Sequence, residues 1–207
     1  MSDDTNNSEG GLQNHCRNYL PHIERERYQM ITFRLNDSLP ASVVEEWKGM
    51  LSPQDSYDSP SCDDDKTRKL LRLIDKYEDA GYGSCILKDE KVAEIVRRAL
   101  FFHNKERYRL LAWCIMPNHV HVLIELISDT PLSVIIHSWR SFTSNEINKV
   151  SGRTGPIWMP EYFDRYIRDF NHFNSVVRYI HNNPVKAGLC TEASHYRWSS
   201  AYRAETP

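Results

Sequence analysis

The stretch Tyr108-Arg-Leu-Leu-Ala-Trp-Cys-Ile-Met-Pro-Asn-His-Val-His-Val-Leu-Ile-Glu-Leu126 decides the fold. Residues 108–115 and 119–126 each read as a strand, and Pro117-Asn118 joins them as a tight antiparallel pair. Strand side chains alternate between faces, so residues two apart point the same way. His119, His121 and Glu125 therefore share one face, while Val120, Val122, Ile124 and Leu126 share the other. One face of this strand is core; the opposite face carries two neighbouring imidazoles. Two readings are open on this stretch alone. The pair offers two nitrogens to one cation, or it is two ordinary surface histidines.

Outward from this hairpin the pattern is mixed. Residues 28–35 alternate, with Met30, Thr32 and Arg34 opposed to Ile31, Phe33 and Leu35. Asn36 to Pro40 turns the chain, and a helix opens at Pro40-Ala41-Ser42 and runs toward Met50. Residues 66–80 carry Leu70, Leu71, Ile74 and Tyr77 at helical spacing, stopped by Gly81 and Gly83. Asp89 caps a further helix striped by Val92, Ile95, Val96, Ala99 and Leu100. After the hairpin comes a helix over about 131–149, then an alternating strand over 161–168. Asp169 or Asn171 then caps a last helix through about Asn182. The order of β, α, β, β, α, β, α predicts an α+β, ferredoxin-like βαββαβ plait, its antiparallel sheet covered on one face by helices.

With 207 residues and 40% hydrophobic content, the chain suits a single globular domain over 20–207. A disordered polar leader is expected over 1–19 and an inserted acidic loop over 52–65, which holds Pro53, Pro60, four serines and five aspartates. Apolar runs fall short of a membrane span, and no signal peptide is expected. The five cysteines are scattered, without a C-x-x-C, so neither a cysteine zinc site nor a disulfide framework is expected. A reducing cytoplasm is the expected home. Net charge is −2, but it divides into −7 over residues 1–66 and +5 over 67–207. The second part can support a basic surface for phosphate.

The last helix reads Phe170-Asn-His-Phe-Asn-Ser-Val-Val-Arg-Tyr-Ile-His-Asn-Asn-Pro184. Phe173, Val176, Val177 and Ile180 form its core stripe. Tyr179 lies off the centre of that stripe and shares a flank with Asn183, one turn on. It reads either as a boundary tyrosine with a packed ring and a wet hydroxyl, or as a nucleophile that attacks phosphorus. Asn183 precedes Pro184, which disfavours its helical conformation and leaves its direction open. Arg165, Arg168, Arg178 and Lys186 flank the tyrosine in sequence, as phosphate ligands or as ordinary surface charges.

Met116-Pro-Asn-His-Val-His-Val-Leu-Ile124 and Arg178-Tyr-Ile-His-Asn-Asn-Pro-Val-Lys-Ala-Gly-Leu189 resemble the HUH single-tyrosine transposases, specifically the REP-associated tyrosine transposase branch. Residues 28–40, 158–169 and 198–201 resemble the family's first strand, link and ending. The resemblance implies a ferredoxin-like palm and Mg²⁺- or Mn²⁺-dependent cleavage of single-stranded DNA near a hairpin. It assigns His119 and His121 as metal ligands and Asn183 as the third. Tyr179 would be the nucleophile, forming a 5′-phosphotyrosine and releasing a 3′-hydroxyl. Relatives are monomers or homodimers that exchange the tyrosine helix. Two other readings of the same residues are a hairpin-binding module that no longer cleaves and a metallohydrolase whose histidine pair activates water.

Overall fold

In a computed structural model the described residues are 14–17, 20–23, 27–50 and 65–204. The strands are β1 (Asn14–Arg17), β2 (Leu20–Ile23), β3 (Tyr28–Leu35), β4 (Tyr108–Ile115), β5 (His119–Leu126) and β6 (Trp158–Tyr166). The helices are α1 (Ala41–Met50), α2 (Asp65–Asp79), α3 (Glu90–Phe102), α4 (Leu132–Ser151) and α5 (Phe170–Lys186). β3 to β6 form a four-stranded antiparallel sheet in the order β4-β5-β3-β6. That is the βαββαβ plait the sequence predicts, with α1 to α3 between its first two strands and α4 between its last two.

Alternation along β5 sorts the layers. Val120, Val122 and Ile124 are fully buried against Val96 and Leu100 of α3 and Ile135, Ile136 and Trp139 of α4. Leu123, on the histidine face, packs with Met30, Ala112 and Cys114 against Val176 and Ile180 of α5. Helices therefore lie on both faces, not one as the sequence suggested, because α5 folds back over the histidine side. The capping is as expected. Asp89 accepts from Lys91 N at 2.8 Å and opens α3, and Asp169 accepts from His172 N at 2.8 Å and opens α5.

Both edges of the sheet are covered. Along β4, Ile115 N donates to Trp198 O (2.8 Å) and Ser200 N donates to Trp113 O (2.9 Å). Along β6, the Arg140 guanidinium of α4 donates to the carbonyls of Met159 and Pro160. Unpaired edge groups invite strand addition; at these positions the chain satisfies its own.

Three boundaries differ from the sequence reading. β1 and β2 pair antiparallel, so the expected leader over 1–19 holds a strand from Asn14 onward. Neither four-residue run carries the alternation that marks a half-buried strand. β6 begins at Trp158 rather than at 161. α5 does not stop at Asn182 but runs through Pro184 to Lys186. The acidic loop expected over 52–65 lies outside the described residues, except for Asp65, the first residue of α2.

Candidate active site

Antiparallel register places β3 directly beneath the histidines: Thr32 stands opposite His121 and Arg34 opposite His119. The two imidazoles meet at their Nε2 atoms, 3.0 Å apart, with rings inclined at 74°. Each Nδ1 is held from behind. Asn118 Oδ1 lies 2.8 Å from His119 Nδ1, and Thr32 Oγ1 lies 2.7 Å from His121 Nδ1.

The orientation of Asn118 is fixed by the turn after α2. Its amide nitrogen donates to Glu78 O (3.3 Å) and Tyr82 O (3.0 Å), so its oxygen faces the ring. His119 Nδ1 must then carry the proton, and its Nε2 presents a lone pair. The turn itself depends on Gly83, whose φ is +90°; a Cβ there would stand 2.3 Å from the carbonyl oxygen of Asp37.

Glu78 of α2 completes the cluster. Its Oε2 lies 3.9 Å from His119 Nε2, and its Oε1 accepts from Arg34 Nε across the buried interior. Glu78, His119 and His121 bring three ligand atoms within 4.8 Å of one another, all buried. Sequence reasoning missed Glu78. A signal was present: Glu78 falls four residues after Ile74, on the apolar stripe of α2, where a carboxylate needs a partner.

The electrostatics suit a cation. Burial first, and then the Arg34 and Lys186 charges, push His119 down to about 3. Burial and the neighbouring imidazole hold His121 well below its ordinary value. Both rings are therefore neutral at pH 7, the state in which imidazole binds metal. The separation also fits: ligands at about 2.1 Å and at right angles around one ion stand about 3.0 Å apart. Two imidazole nitrogens and a carboxylate oxygen form a donor set used by divalent first-row metals.

Tyr179 comes to this cluster from α5 of the same chain. Its ring centroid lies 5.2 Å from that of His121, inclined at 68°. Burial, followed by the negative charge of Asp75, raises its pKa well above the ordinary tyrosine value, while a hydrogen bond with Asn183 opposes the rise. Asn183 is buried one turn on and also donates to Tyr179 O at 3.4 Å. The helix stays intact across Pro184, with Ala187 N bonding Asn183 O at 2.9 Å. The direction left open by the sequence is thus settled: Asn183 faces the tyrosine.

The four flanking cations are scattered. Arg165 is half-buried on β6; Arg168 is exposed just beyond it. Both act electrostatically on His172. Arg178 is exposed and donates to Asn174 O. Lys186 pairs with Asp79 of α2 at 2.7 Å. Trp158 is core, its indole N–H donating to Thr143 at 2.8 Å.

Known proteins resemble this chain in sequence and fold. A solved structure of a REP-associated tyrosine transposase bound to a REP hairpin superposes with a TM-score of 0.54 at 17% identity. The match covers 91% of this chain and 82% of that one, and it shows the shared fold. The REP-associated tyrosine transposase of Escherichia coli (strain K12) is 27% identical over 112 residues, 53% of this chain. The aligned part spans 65% of that relative's length. The family model described as "Transposase IS200 like" matches residues 84–183. His119, His121, Tyr179 and Asn183 all fall inside the matched segment, whereas Glu78 lies ahead of it. On these matches residues 84–183 are similar to the IS200-like transposase family, and REP-associated tyrosine transposases are among the proteins this chain resembles.

Proposed function

We propose that this protein is a divalent-cation-dependent endonuclease and strand transferase acting on single-stranded DNA beside a hairpin. The observation that carries the reading is the meeting, within one chain, of the Tyr179 ring and the His119–His121 pair. The hairpin partner is carried over from the solved neighbour, which was bound to a REP hairpin.

The His119 and His121 Nε2 atoms and a Glu78 oxygen would hold the ion, with the Asn183 amide oxygen as a further donor. Bound there, the cation would polarise a phosphate oxygen and so favour attack at phosphorus. The mixed nitrogen and oxygen set favours Mn²⁺ over Mg²⁺, which prefers oxygen ligands. Tyr179 Oη would attack the phosphorus and form a 5′-phosphotyrosine while the 3′-oxygen leaves. The ester keeps the energy of the broken bond, so a second strand's 3′-hydroxyl can displace the tyrosine and complete a transfer. Asn183 orients the phenol. Arg165, Arg168 and Arg178 would bind the DNA backbone, and Lys186 would instead fix α2 to α5 through Asp79.

The test uses 5′-labelled and 3′-labelled single-stranded hairpin oligonucleotides with Mn²⁺, resolved on a denaturing gel. A covalent adduct carrying the 5′-phosphate side is expected, lost in Tyr179→Phe. An adduct that survives Tyr179→Phe, or cation-dependent cleavage that survives His119→Ala, overturns the reading.

A further inference from the structure

Nucleophilic attack by a tyrosine needs somewhere for its proton to go, since a phenol with an ordinary pKa near 10 is protonated at neutral pH. The groups closest to the site are already engaged. His119 and His121 hold Asn118 and Thr32 through Nδ1 and face each other through Nε2. Glu78 holds Arg34 and faces His119, and Asp79 is tied to Lys186.

One carboxylate on the same face of α2 is left. Asp75 precedes Glu78 by three residues and Asp79 by four, so all three lie on one side of the helix. Two anchors set that side against the site: Glu78 at His119, and Asp79 at Lys186. Tyr179, Asn183 and Lys186 fall on one stripe of α5, at i, i+4 and i+7, and the Lys186–Asp79 bond joins that stripe to the face of α2 that carries Asp75. Consistent with that placement, Asp75 exerts the largest effect of any charge on the Tyr179 phenol. Among the described residues Asp75 itself makes no hydrogen bond and no short ion pair.

We propose that Asp75 accepts the Tyr179 proton during cleavage and returns it to the same oxygen during rejoining. The proposal rests on the nucleophile reading of Tyr179 above. In cleavage the Tyr179 Oη–P bond forms as the P–O3′ bond breaks. The phenolic proton passes to an Asp75 oxygen, and the departing 3′-oxygen takes a proton from water. In rejoining, a 3′-hydroxyl attacks phosphorus and gives its proton to water, the Oη–P bond breaks, and Asp75 hands its proton back to Oη. No oxidant or further reactant is needed.

The surroundings tune this carboxyl for the task. Burial first, and then the Glu78 charge, push Asp75 up to about 6, with Asp79 adding to the rise and Lys186 and Arg34 opposing it. The groups facing it are Glu78 and Asp79 on its own helix, Tyr179 and Lys186 on α5, Arg34 on β3 and, beyond Glu78, the two histidines of β5. An acceptor with a pKa near the working pH combines the right protonation state with useful basicity. Asp75 also lies outside the segment matched by the family model, so nothing in that match assigns it.

The experiment measures single-turnover adduct formation by the full chain from pH 5 to 9. The substrates are labelled single-stranded oligonucleotides tiled across the DNA flanking this gene, with Mn²⁺. In the unmutated protein the rate should rise about tenfold per pH unit below a pKa near 6 and then level off. Asp75→Asn should lower the plateau by about 10²- to 10⁴-fold and remove that limb. Asp75→Glu should restore the limb in part. Mn²⁺ binding, followed by calorimetry, should be the same in Asp75→Asn, which separates a proton acceptor from a metal ligand. An Asp75→Asn protein that forms the adduct at the unmutated rate with the limb intact overturns the role of Asp75 alone. So does an unmutated profile with no limb near pH 6, a result independent of whether the variant folds. Failure of the unmutated protein to form any tyrosine adduct overturns both this inference and the nucleophile reading beneath it.

Discussion

Replacing Glu78 by glutamine tests the most unusual contact in the molecule. The Arg34 and Glu78 side chains are only 3% and 2% exposed. Glutamine keeps the shape but removes the charge, so Arg34 would lose the carboxylate that Glu78 presents to it in the interior. Breaking a buried pair from one side costs about 3–5 kcal/mol, because the remaining charge loses that partner without regaining water. In a domain of this size each kcal/mol moves the melting temperature by about 2–4 °C, so a fall of about 6–20 °C is expected. The measurement is thermal and urea unfolding in EDTA, where no bound cation adds its own binding energy to the folded state. The double variant Arg34→Met with Glu78→Leu removes both charges and should return most of the lost stability. Both proteins should lose Mn²⁺ affinity. If Glu78→Gln costs less than about 1 kcal/mol, the pair behaves like a surface ion pair and the reasoning fails.

Two further outcomes follow from the same cluster. Asn118→Ala removes the group that keeps the proton on His119 Nδ1, so Mn²⁺ affinity measured by calorimetry should fall about 10- to 100-fold; unchanged affinity would show that Asn118 does not orient the ring. His119, held at about 3 in the fold against 6.5 ordinarily, makes stability sensitive to acid. Its folded pKa is depressed, so its contribution is fully present above pH 6.5 and is lost as pH falls toward 3. Between pH 6.5 and pH 5 the loss should be roughly 2 kcal/mol. Asp75 works in the opposite sense, since a carboxyl raised to about 6 favours the fold as pH falls through 6 toward 4. Unfolding should therefore be compared with His119→Gln across that range in EDTA, so that the Asp75 contribution cancels. Parallel stability curves for the two proteins would contradict the buried neutral histidine.

The hairpin from Tyr108 to Leu126 was legible because each valine and isoleucine of β5 alternates with a histidine, a leucine or a glutamate, although the fold buries both faces of the strand. The α2 to α4 helices were legible from their stripes and from Asp89 as a cap. Glu78 was not, since helical spacing alone treats a charged residue in a stripe as an interruption, and its partners Arg34 and His119 lie in other strands. Asn183 was read with its direction open because a residue before proline avoids helical geometry in isolation. In the fold, Asn183 and Pro184 are both buried, and packing overrides the local preference. The basic residues around Tyr179 were read as one group. Their separation, with Lys186 bound to Asp79 of α2, follows from where the fold places each of them, and local spacing carries no record of that.

The position of β3 between β5 and β6 has a consequence for how the molecule assembles. Thr32 meets His121 from 89 positions away in the chain, and the β6 partners of β3 lie further still. Closing loops this long adds little to the equilibrium cost, since each doubling adds only about 0.6 kcal/mol. It weighs instead on rate, because distant pairings must be found before they contribute. The β4–β5 hairpin can form early from neighbours in sequence, its histidines already side by side. The hydroxyl that steadies His121 and the arginine that holds Glu78 both arrive with β3. The paired imidazoles are thus an early product of folding, and their alignment is a late one.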